Sequence, residues 1–291
     1  MDARSSAITF ESRDSMRRFW IPAIALLLSS LPVVAAEATF QRTLNVNGPV
    51  DLTVSDGAGE IHIMRGSDNQ IHISGRVHSG WGSSADRVSE IAANPPIEQT
   101  GNIVRIGGHH FDLHNISIDY EIQAPAGCHL EASTGSGNLR IEGVGHDAHL
   151  STGSGDIRAE GLQGAFAVGT GSGNVVVEQA SAGDGKAETG SGDIELRGVR
   201  GGLRASTGSG AIRVTGTPTS NWRLTTGSGS IDFTPGSEGF LLDASSGSGA
   251  IRTDHEVAVQ GTMNRHHVVA TVHGGGPTVR IETGSGDIRI H

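Results

Sequence analysis

Apolar and polar residues alternate along most of the chain, in short runs on either side of one recurring four-residue phrase. Taking the first residue of the phrase as zero, apolar residues lie four and two positions before it, and five, seven and often ten positions after it. Leu203 and Ala205 before the phrase at Thr207, and Ile212 and Val214 after it, follow this template. A period of two is typical of a strand with one buried face. The pattern therefore predicts two short strands per repeat, with the phrase at the corner between them.

The phrase is Thr-Gly-Ser-Gly or Ser-Gly-Ser-Gly, and it recurs at a nearly fixed interval. Its eight copies begin at Thr134, Thr152, Thr170, Thr189, Thr207, Thr226, Ser246 and Thr283. Successive copies are 18 to 20 residues apart, except for a last step of 37 residues that equals two ordinary steps. Such a period is typical of a solenoid, in which each turn buries its apolar face only by stacking on its neighbours. We therefore expect an all-β, parallel β-solenoid of ~18–19 residues per turn, with one further turn hidden between Ser246 and Thr283.

The residue types of the phrase suit a corner. Glycines such as Gly135, Gly137, Gly153 and Gly155 are expected to supply backbone angles that other residues disfavour, which allows a tight reversal of the chain. The Thr and Ser hydroxyls are expected to hydrogen-bond the backbone groups that the flanking strands leave unpaired. The phrase is thus predicted to hold the shape of the molecule and not to act as a nucleophile.

Three regions are predicted along the chain. Residues 1–36 have a basic start, an apolar run and then Val34-Ala35-Ala36, as a cleaved secretory signal does, with an uncleaved anchor as the alternative. Residues 37–128 are predicted to form an atypical β region with one short helix at 83–93, and residues 129–291 the regular solenoid repeats. No apolar segment of ~20 residues follows the signal, so no stable membrane span is expected after cleavage.

The composition disfavours several classes of function. The chain carries 31 acidic and 21 basic residues, a net charge of −10, which disfavours nucleic acid as a partner. The one cysteine, Cys128, has no internal partner for a disulfide. With 44 glycines and few aromatic residues, the core must consist of thin layers of aliphatic side chains, as in a solenoid.

One stretch resembles a known family. From Ile118 the sequence reads Ile-Asp-Tyr-Glu-Ile-Gln-Ala-Pro-Ala-Gly-Cys-His-Leu and continues into Glu-Ala-Ser-Thr-Gly-Ser-Gly-Asn-Leu. Together with the repeats that follow in register, residues 40–291 resemble the bacterial putative-adhesin family, a domain of unknown function with Gly-Ser-Gly-Asp repeats. The resemblance implies a β-solenoid and an envelope or extracellular setting, and it brings no catalytic residues to this chain.

Two chemical alternatives stay open. Asp follows the second Gly of the phrase at Asp156, Asp193 and Asp287, and Gly-rich turns with Asp bind calcium in β-rolls. Because only three of eight copies have this Asp, a structural turn residue is the simpler interpretation, and no metal or other cofactor is predicted. A polysaccharide-active enzyme needs a carboxylate pair, but no pair is singled out, so no catalytic residue is assigned. The histidine clusters at 109–114 and 266–273 are interpreted as surface residues.

The outward positions of the second strand carry charge. Six residues after the start of the phrase lie Arg140, Arg158, Arg213 and Arg252, with acidic residues nearby. These arginines are the candidate binding face for an envelope glycan or protein. The alternative is a solvated face that only keeps the sheet from pairing with other chains.

Taken together, the sequence predicts a non-enzymatic, exported protein of the periplasm or cell surface with an adhesin-like binding or structural role. The alternative is a periplasmic scaffold or sensor component that pairs with another chain through its last strand, residues 287–291, which has no visible cap. Self-association through the same edge is a further expectation.

Overall fold

A computed structural model describes residues 37–80, 84–108, 113–254 and 257–291, with the backbone alone at 257–263. The predicted signal segment 1–36, together with Ser83, His109 and His110, lies outside the described residues. Within the described ranges the chain forms 23 strands and one helix.

The strands fall into three groups along the chain. The N-terminal group consists of β1 (Glu37–Asn45), β2 (Asp51–Asp56), β3 (Ile61–Arg65), β4 (Gln70–Ser79), β5 (Ile97–Thr100), β6 (Ile103–Gly107) and β7 (Ile116–Ala124). The central group consists of β8 (His129–Thr134), β9 (Leu139–Glu142), β10 (Asp147–Thr152), β11 (Ile157–Leu162), β12 (Ala165–Thr170), β13 (Val175–Gln179), β14 (Gly185–Thr189), β15 (Ile194–Thr207), β16 (Ile212–Ser228) and β17 (Ile231–Pro235). The C-terminal group consists of β18 (Phe240–Ser246), β19 (Ile251–Thr253), β20 (Val257–Asn264), β21 (His267–Val272), β22 (Thr278–Ser285) and β23 (Ile288–Ile290).

Each regular turn has one strand that runs into the Gly-rich corner and one that leaves it. We call these the leading and the following strand. Leading strands pair in parallel and in register, so that Thr134 lies beside Thr152 and Thr152 beside Thr170. Following strands do the same, with Leu139 beside Ile157. The predicted all-β parallel solenoid with two main strands per turn is therefore confirmed. The two resulting stacks, the leading stack and the following stack, enclose one continuous, mainly aliphatic core.

The N-terminal end is interleaved. The turn formed by β2 and β3 is paired on both sides, since β2 lies between β6 and β8 and β3 lies between β7 and β9. The turn that comes next in sequence, β6 and β7, thus lies further out. Asp56 lies in register with Thr134, so the chain from Asp56 to Gly59 is a degenerate corner. Antiparallel strands β4 and β1 continue the following stack outward, and β5 continues the leading stack.

The helix predicted near the N-terminal end is present as α1 (Ala85–Ala93). The Ser84 hydroxyl accepts the amide of Arg87 at 3.3 Å and caps the first turn. Val88 and Ile91 are buried, and the helix packs against β1 and β4, the outermost strands of the following stack. Among the described residues, no helix is both long enough and apolar enough to span a membrane.

The C-terminal end departs from the prediction. β22 lies between β16 and β18, with Thr283 in register with Thr226 on one side and Ser246 on the other. β23 likewise lies between β17 and β19. The last turn in sequence is therefore not the last in space. The predicted free edge at residues 287–291 is wrong, because that strand has a parallel partner on each side.

The extra turn expected between Ser246 and Thr283 is also wrong. That stretch contains β20 and β21, and β21 pairs antiparallel with β18 on its outer side. Larger rings fill the core where the last turn is inserted. The ring of Phe233 lies 5.3 Å from Trp222 and 5.6 Å from Phe240, measured between centroids. Pairing between non-consecutive strands, and not the local pattern, sets the order of turns at this end.

Candidate functional site

Each corner hydroxyl joins two successive turns. Thr152 Oγ1 donates to the carbonyl of Gly137 in the preceding turn at 2.9 Å and accepts the amide of Gly155 in its own turn at 3.1 Å. The same donation to the neighbouring turn occurs at Thr134, Thr170, Thr189, Thr207, Thr226, Ser246 and Thr283. These buried hydroxyls therefore satisfy backbone groups that the strands leave unpaired. They are engaged in structure and are not exposed to a ligand.

Glycine occupies the corners because the backbone of the adjacent turn lies very close, and not because the corners need an unusual backbone angle. None of them has φ in the left-handed region, so the expectation of special backbone angles is wrong. A Cβ built on Gly155 would lie 1.9 Å from the carbonyl oxygen of Gly137, and one on Gly153 would lie 2.4 Å from that of Gly135. Only glycine allows the turns to approach so closely.

The three aspartates considered for calcium form part of a hydrogen-bonded ladder. Asp156 Oδ1 accepts the amide of Asn174 at 2.7 Å, Asp193 Oδ1 that of Ala211 at 2.8 Å, and Asp287 Oδ1 that of Ala250 at 3.0 Å. Each of these oxygens is thus engaged by the equivalent residue of an adjacent turn. The hydrogen bond from the amide of Ala250 is the main cause that lowers the pKa of Asp287, and the hydrogen bond from the side chain of Arg252 is the second. In the described part of the chain, no three His, Cys, Asp or Glu side chains are grouped as a metal ion would require.

Most of the other predicted chemical groups are engaged locally. Cys128 is fully buried, and burial raises the pKa of its thiol to about 12. In the C-terminal histidine cluster, His267 lies 3.2 Å from a carboxylate oxygen of Asp243. His273 lies at the turn after β21 with φ of 46°.

The predicted binding face lies on the outer surface of the following stack, where each arginine has a carboxylate partner. Arg140 pairs with Glu142 at 2.5 Å, and the hydrogen bond lowers the pKa of that carboxyl. The remaining pairs are Arg158 with Glu160, Arg213 with Asp193 at 3.4 Å and Arg252 with Asp287 at 3.0 Å. The binding role of these four arginines stays a prediction, and a ligand would have to compete with four existing ion pairs.

A second set of cations lies on the leading stack and was not found in the sequence. Four successive strands, β14, β15, β16 and β22, place a cation at the same outward position, namely Lys186, Arg204, Arg223 and Arg280. We call these residues the basic column. In the sequence, each of these cations lies three positions before the first residue of a Gly-rich phrase. In sequence order, however, Asp243 separates Arg223 from Arg280, and only the insertion of β22 brings the two arginines together.

The basic column has fewer acidic partners than the following stack. Lys186 pairs with Glu188 at 2.9 Å, whereas Arg223 and Arg280 share Glu282, each at 2.7 Å. Arg204 is exposed and has no carboxylate partner among the described residues. Three of the four cations thus form ion pairs with two carboxylates, and Asp243 lies beside Arg280 on β18, so Arg204 is the member of the column without an ion pair among the described residues.

Two shallow depressions lie along the same outer surface and share Lys186. One, of about 360 Å³, runs from Asp184 across Gly202 to Arg223. The other, of about 300 Å³, runs from Glu131 past Ala167 and Gly169 to Lys186. Small residues in the outward positions produce both, so that the surface has a trough running across the strands.

A larger depression, of about 500 Å³, lies at the N-terminal end of the following stack. Its lining includes Phe40, His62, Asp119, Tyr120 and Arg140. His78 and Asp119 are paired there at 2.9 Å, and His62 lies 3.5 Å from Glu142. Ion pairs thus already engage His62, Asp119 and Arg140 in this lining.

Comparison with known proteins gives a family match. The family described as Toastrack DUF4097 matches residues 34–291. Among solved structures, the chain is similar to a putative adhesin from Bacteroides fragilis, with 13% identity, 87% of this chain and 97% of that chain covered, and a TM-score of 0.47. It is also similar to a putative cell adhesion protein from Clostridium sporogenes, with 15% identity, 87% and 98% covered, and a TM-score of 0.34. No curated protein matches the chain.

Proposed function

The chain belongs to the Toastrack DUF4097 family, in agreement with the resemblance to the putative-adhesin domain. We propose that it is an exported, non-enzymatic binding module that holds an extended envelope polymer against its outer strands. One observation carries the proposal. Side chains at equivalent outward positions lie in register from strand to strand, at the ~4.8 Å spacing of paired strands. A repeating array of this kind suits a repeating linear ligand better than a small molecule.

The rigidity of the scaffold supports this role. Backbone pairing on both sides of the central strands, together with the corner hydroxyl bonds, fixes the positions from which the outward side chains project. A backbone that is already fixed adds no ordering cost of its own when a ligand binds. A long polymer can therefore gain affinity from many weak contacts.

Length dependence tests the proposal. The exported protein would be immobilised and exposed to polysaccharide purified from the envelope, with fragments of increasing length as competitors. We expect saturable binding, competition that strengthens as the fragments lengthen, and no new chain ends in the polymer after prolonged incubation. Competition by single sugars that equals competition by long fragments would contradict an extended site, and new chain ends would contradict a non-enzymatic role.

Export is part of the proposal. Intact-mass analysis of protein recovered from the periplasmic and extracellular fractions should give a mature chain that begins at Glu37, because Val34-Ala35-Ala36 fits the cleavage site. Recovery of the unprocessed chain in the cytoplasm alone would contradict export. The alternative of pairing through the last strand is not proposed, because β23 is paired on both sides.

A further inference from the structure

We propose that the polymer bound by the leading stack is an acidic polysaccharide, and that the basic column binds its carboxylates. This inference rests on the proposed function and adds the ligand class and the site. It concerns Lys186, Arg204, Arg223 and Arg280, which lie on adjacent strands.

The charge of the column is unusual for this molecule. The whole chain has a net charge of −10, yet four spatially adjacent strands carry a cation in the same register. At ~4.8 Å per strand, the four positions span about 14 Å. Like charges this close repel one another, and although Glu188, Glu282 and the neighbouring Asp243 offset part of this repulsion, Arg204 lies between two other cations without an ion pair of its own among the described residues. An anionic ligand would remove the remaining repulsion.

The following stack provides the contrast. Its four arginines, Arg140, Arg158, Arg213 and Arg252, pair with four different carboxylates. The two sets contain the same number of cations and are similarly exposed, but among the described residues only the basic column has a member, Arg204, without an ion pair. We therefore assign the anion site to the leading stack.

The position of the column indicates what kind of polyanion fits. It lies in the middle of the stack, where the backbone groups of β14, β15 and β16 are already paired with neighbouring strands. A peptide that adds as an extra strand needs a free edge, so it has no place here. Recognition must come from side chains, and arginine forks bind carboxylates in a bidentate manner.

The shape of the surface agrees with a linear chain. The two depressions meet at Lys186 and run across the strands, past Ala167 and Gly169 on one side and Gly202 on the other. Along the depression that runs to Arg223, a polymer would place successive acidic groups opposite Lys186, Arg204 and Arg223, whereas the other depression has Glu131 and Glu188 in its lining. The apolar floor beneath it, including Leu203 and Trp222, is largely covered, which leaves side-chain charge as the main source of affinity.

The experiment compares two variants that lose the same charge. In one, the basic column is changed by Lys186→Gln, Arg204→Gln, Arg223→Gln and Arg280→Gln; in the other, the following stack is changed by Arg140→Gln, Arg158→Gln, Arg213→Gln and Arg252→Gln. Binding of polygalacturonate would be measured for the full exported chain and both variants. Methyl-esterified polygalacturonate, in which the carboxylates are neutral, serves as the second probe.

We expect the first variant to lose about tenfold or more in affinity for polygalacturonate, as removal of charge-assisted contacts predicts. The second variant should lose about twofold or less. The wild-type protein should bind the methyl ester much more weakly and should release polygalacturonate as salt concentration rises.

Two results would overturn the inference but leave the proposed function standing: equal binding of the ester and the acid, or equal losses in the two variants while binding stays length-dependent. Equal binding of single-stranded DNA would likewise overturn the choice of polysaccharide over other polyanions. If neither polygalacturonate nor envelope polysaccharide binds, both the inference and the proposed function fail.

A single-site pair protects the test against loss of folding. Arg204→Glu reverses the charge at the one column residue without an ion pair among the described residues, so its replacement leaves the neighbouring pairs intact. Arg213→Glu makes the same charge change on the following stack and removes only an exposed ion pair with Asp193, which contributes little to stability. We expect only Arg204→Glu to weaken polygalacturonate binding, with both variants melting close to the wild type; equal binding by both would contradict the site.

Discussion

At the level of single residues, the corner glycines are constrained by the adjacent turn. Gly155→Ala would place a methyl group 1.9 Å from the carbonyl oxygen of Gly137, and the backbone on both sides is held by strand pairing. The turns must separate or twist to admit the methyl group. We expect this change to lower the free energy of unfolding by about 3 kcal/mol or more, measured by urea denaturation.

The degenerate corner provides the control. Gly57 is equivalent to Gly135, but a Cβ built on it has no heavy atom within 4 Å. Gly57→Ala should therefore change stability by less than about 0.5 kcal/mol. If both substitutions cost the same, proximity would not be the reason for glycine at the corners.

The same degenerate corner contains an acid in place of the usual hydroxyl. Burial raises the pKa of Asp56 above its ordinary 3.8, although the amides of Gly59 and Ala58 partly oppose this. Because the pKa of Asp56 is higher in the folded state than in the unfolded state, the folded state holds the proton more tightly. The contribution of Asp56 to stability is therefore greatest at pH values below the pKa of the unfolded chain. It falls as pH rises from about 4 through the folded pKa.

We therefore expect Asp56→Asn, which keeps an oxygen for the two amides, to be more stabilising at pH 7 than at pH 4 relative to the wild type. The measurement is urea unfolding at both pH values. Asp68→Asn at an exposed turn position controls for the loss of one negative charge. A benefit of Asp56→Asn that does not change between the two pH values would contradict the assigned pKa direction.

At the level of strands, β22 and β23 are predicted to be essential because they are internal. Deletion of residues 278–291 would remove the parallel neighbour of both β16 and β18 and expose the rings of Trp222 and Phe240 to solvent. We expect a large fall in melting temperature and strong binding of a hydrophobic dye. Removal of His291 alone is the control and should have little effect. A nearly unchanged melting temperature after the longer deletion would indicate that this strand is an edge.

The strand order also marks the limit of sequence-based prediction. The period and alternation predicted the two strands per turn, because burial of one strand face leaves a local signal. The order of turns leaves no such signal, since a step of 37 residues fits two stacked turns as well as a hairpin followed by an inserted turn. What decides it is the pairing of β22 with β16 and β18, and of β23 with β17 and β19, around the large rings of Trp222, Phe233 and Phe240.

Over the whole molecule, that insertion also completes the candidate site. Along the sequence the outward position reads Arg204, Arg223, Asp243 and Arg280, so an acid interrupts the cations. In space β22 moves Arg280 next to Arg223 and leaves Asp243 beyond it. The following-stack arginines were visible in the sequence, but their carboxylate partners in adjacent turns, such as Asp193 for Arg213, depend on strand register.

Interleaved ends predict an order of local stability that differs from the order along the chain. Amides at residues 279–283 lie in a strand paired on both sides, whereas in the described chain β20 pairs only with β21. Hydrogen exchange followed by mass spectrometry should therefore show residues 279–283 protected as well as 222–226. Residues 257–264 should exchange faster, although they come earlier in sequence. A C-terminal peptide that exchanges faster than this hairpin would place the last turn at the outside and would break the basic column between Arg223 and Arg280.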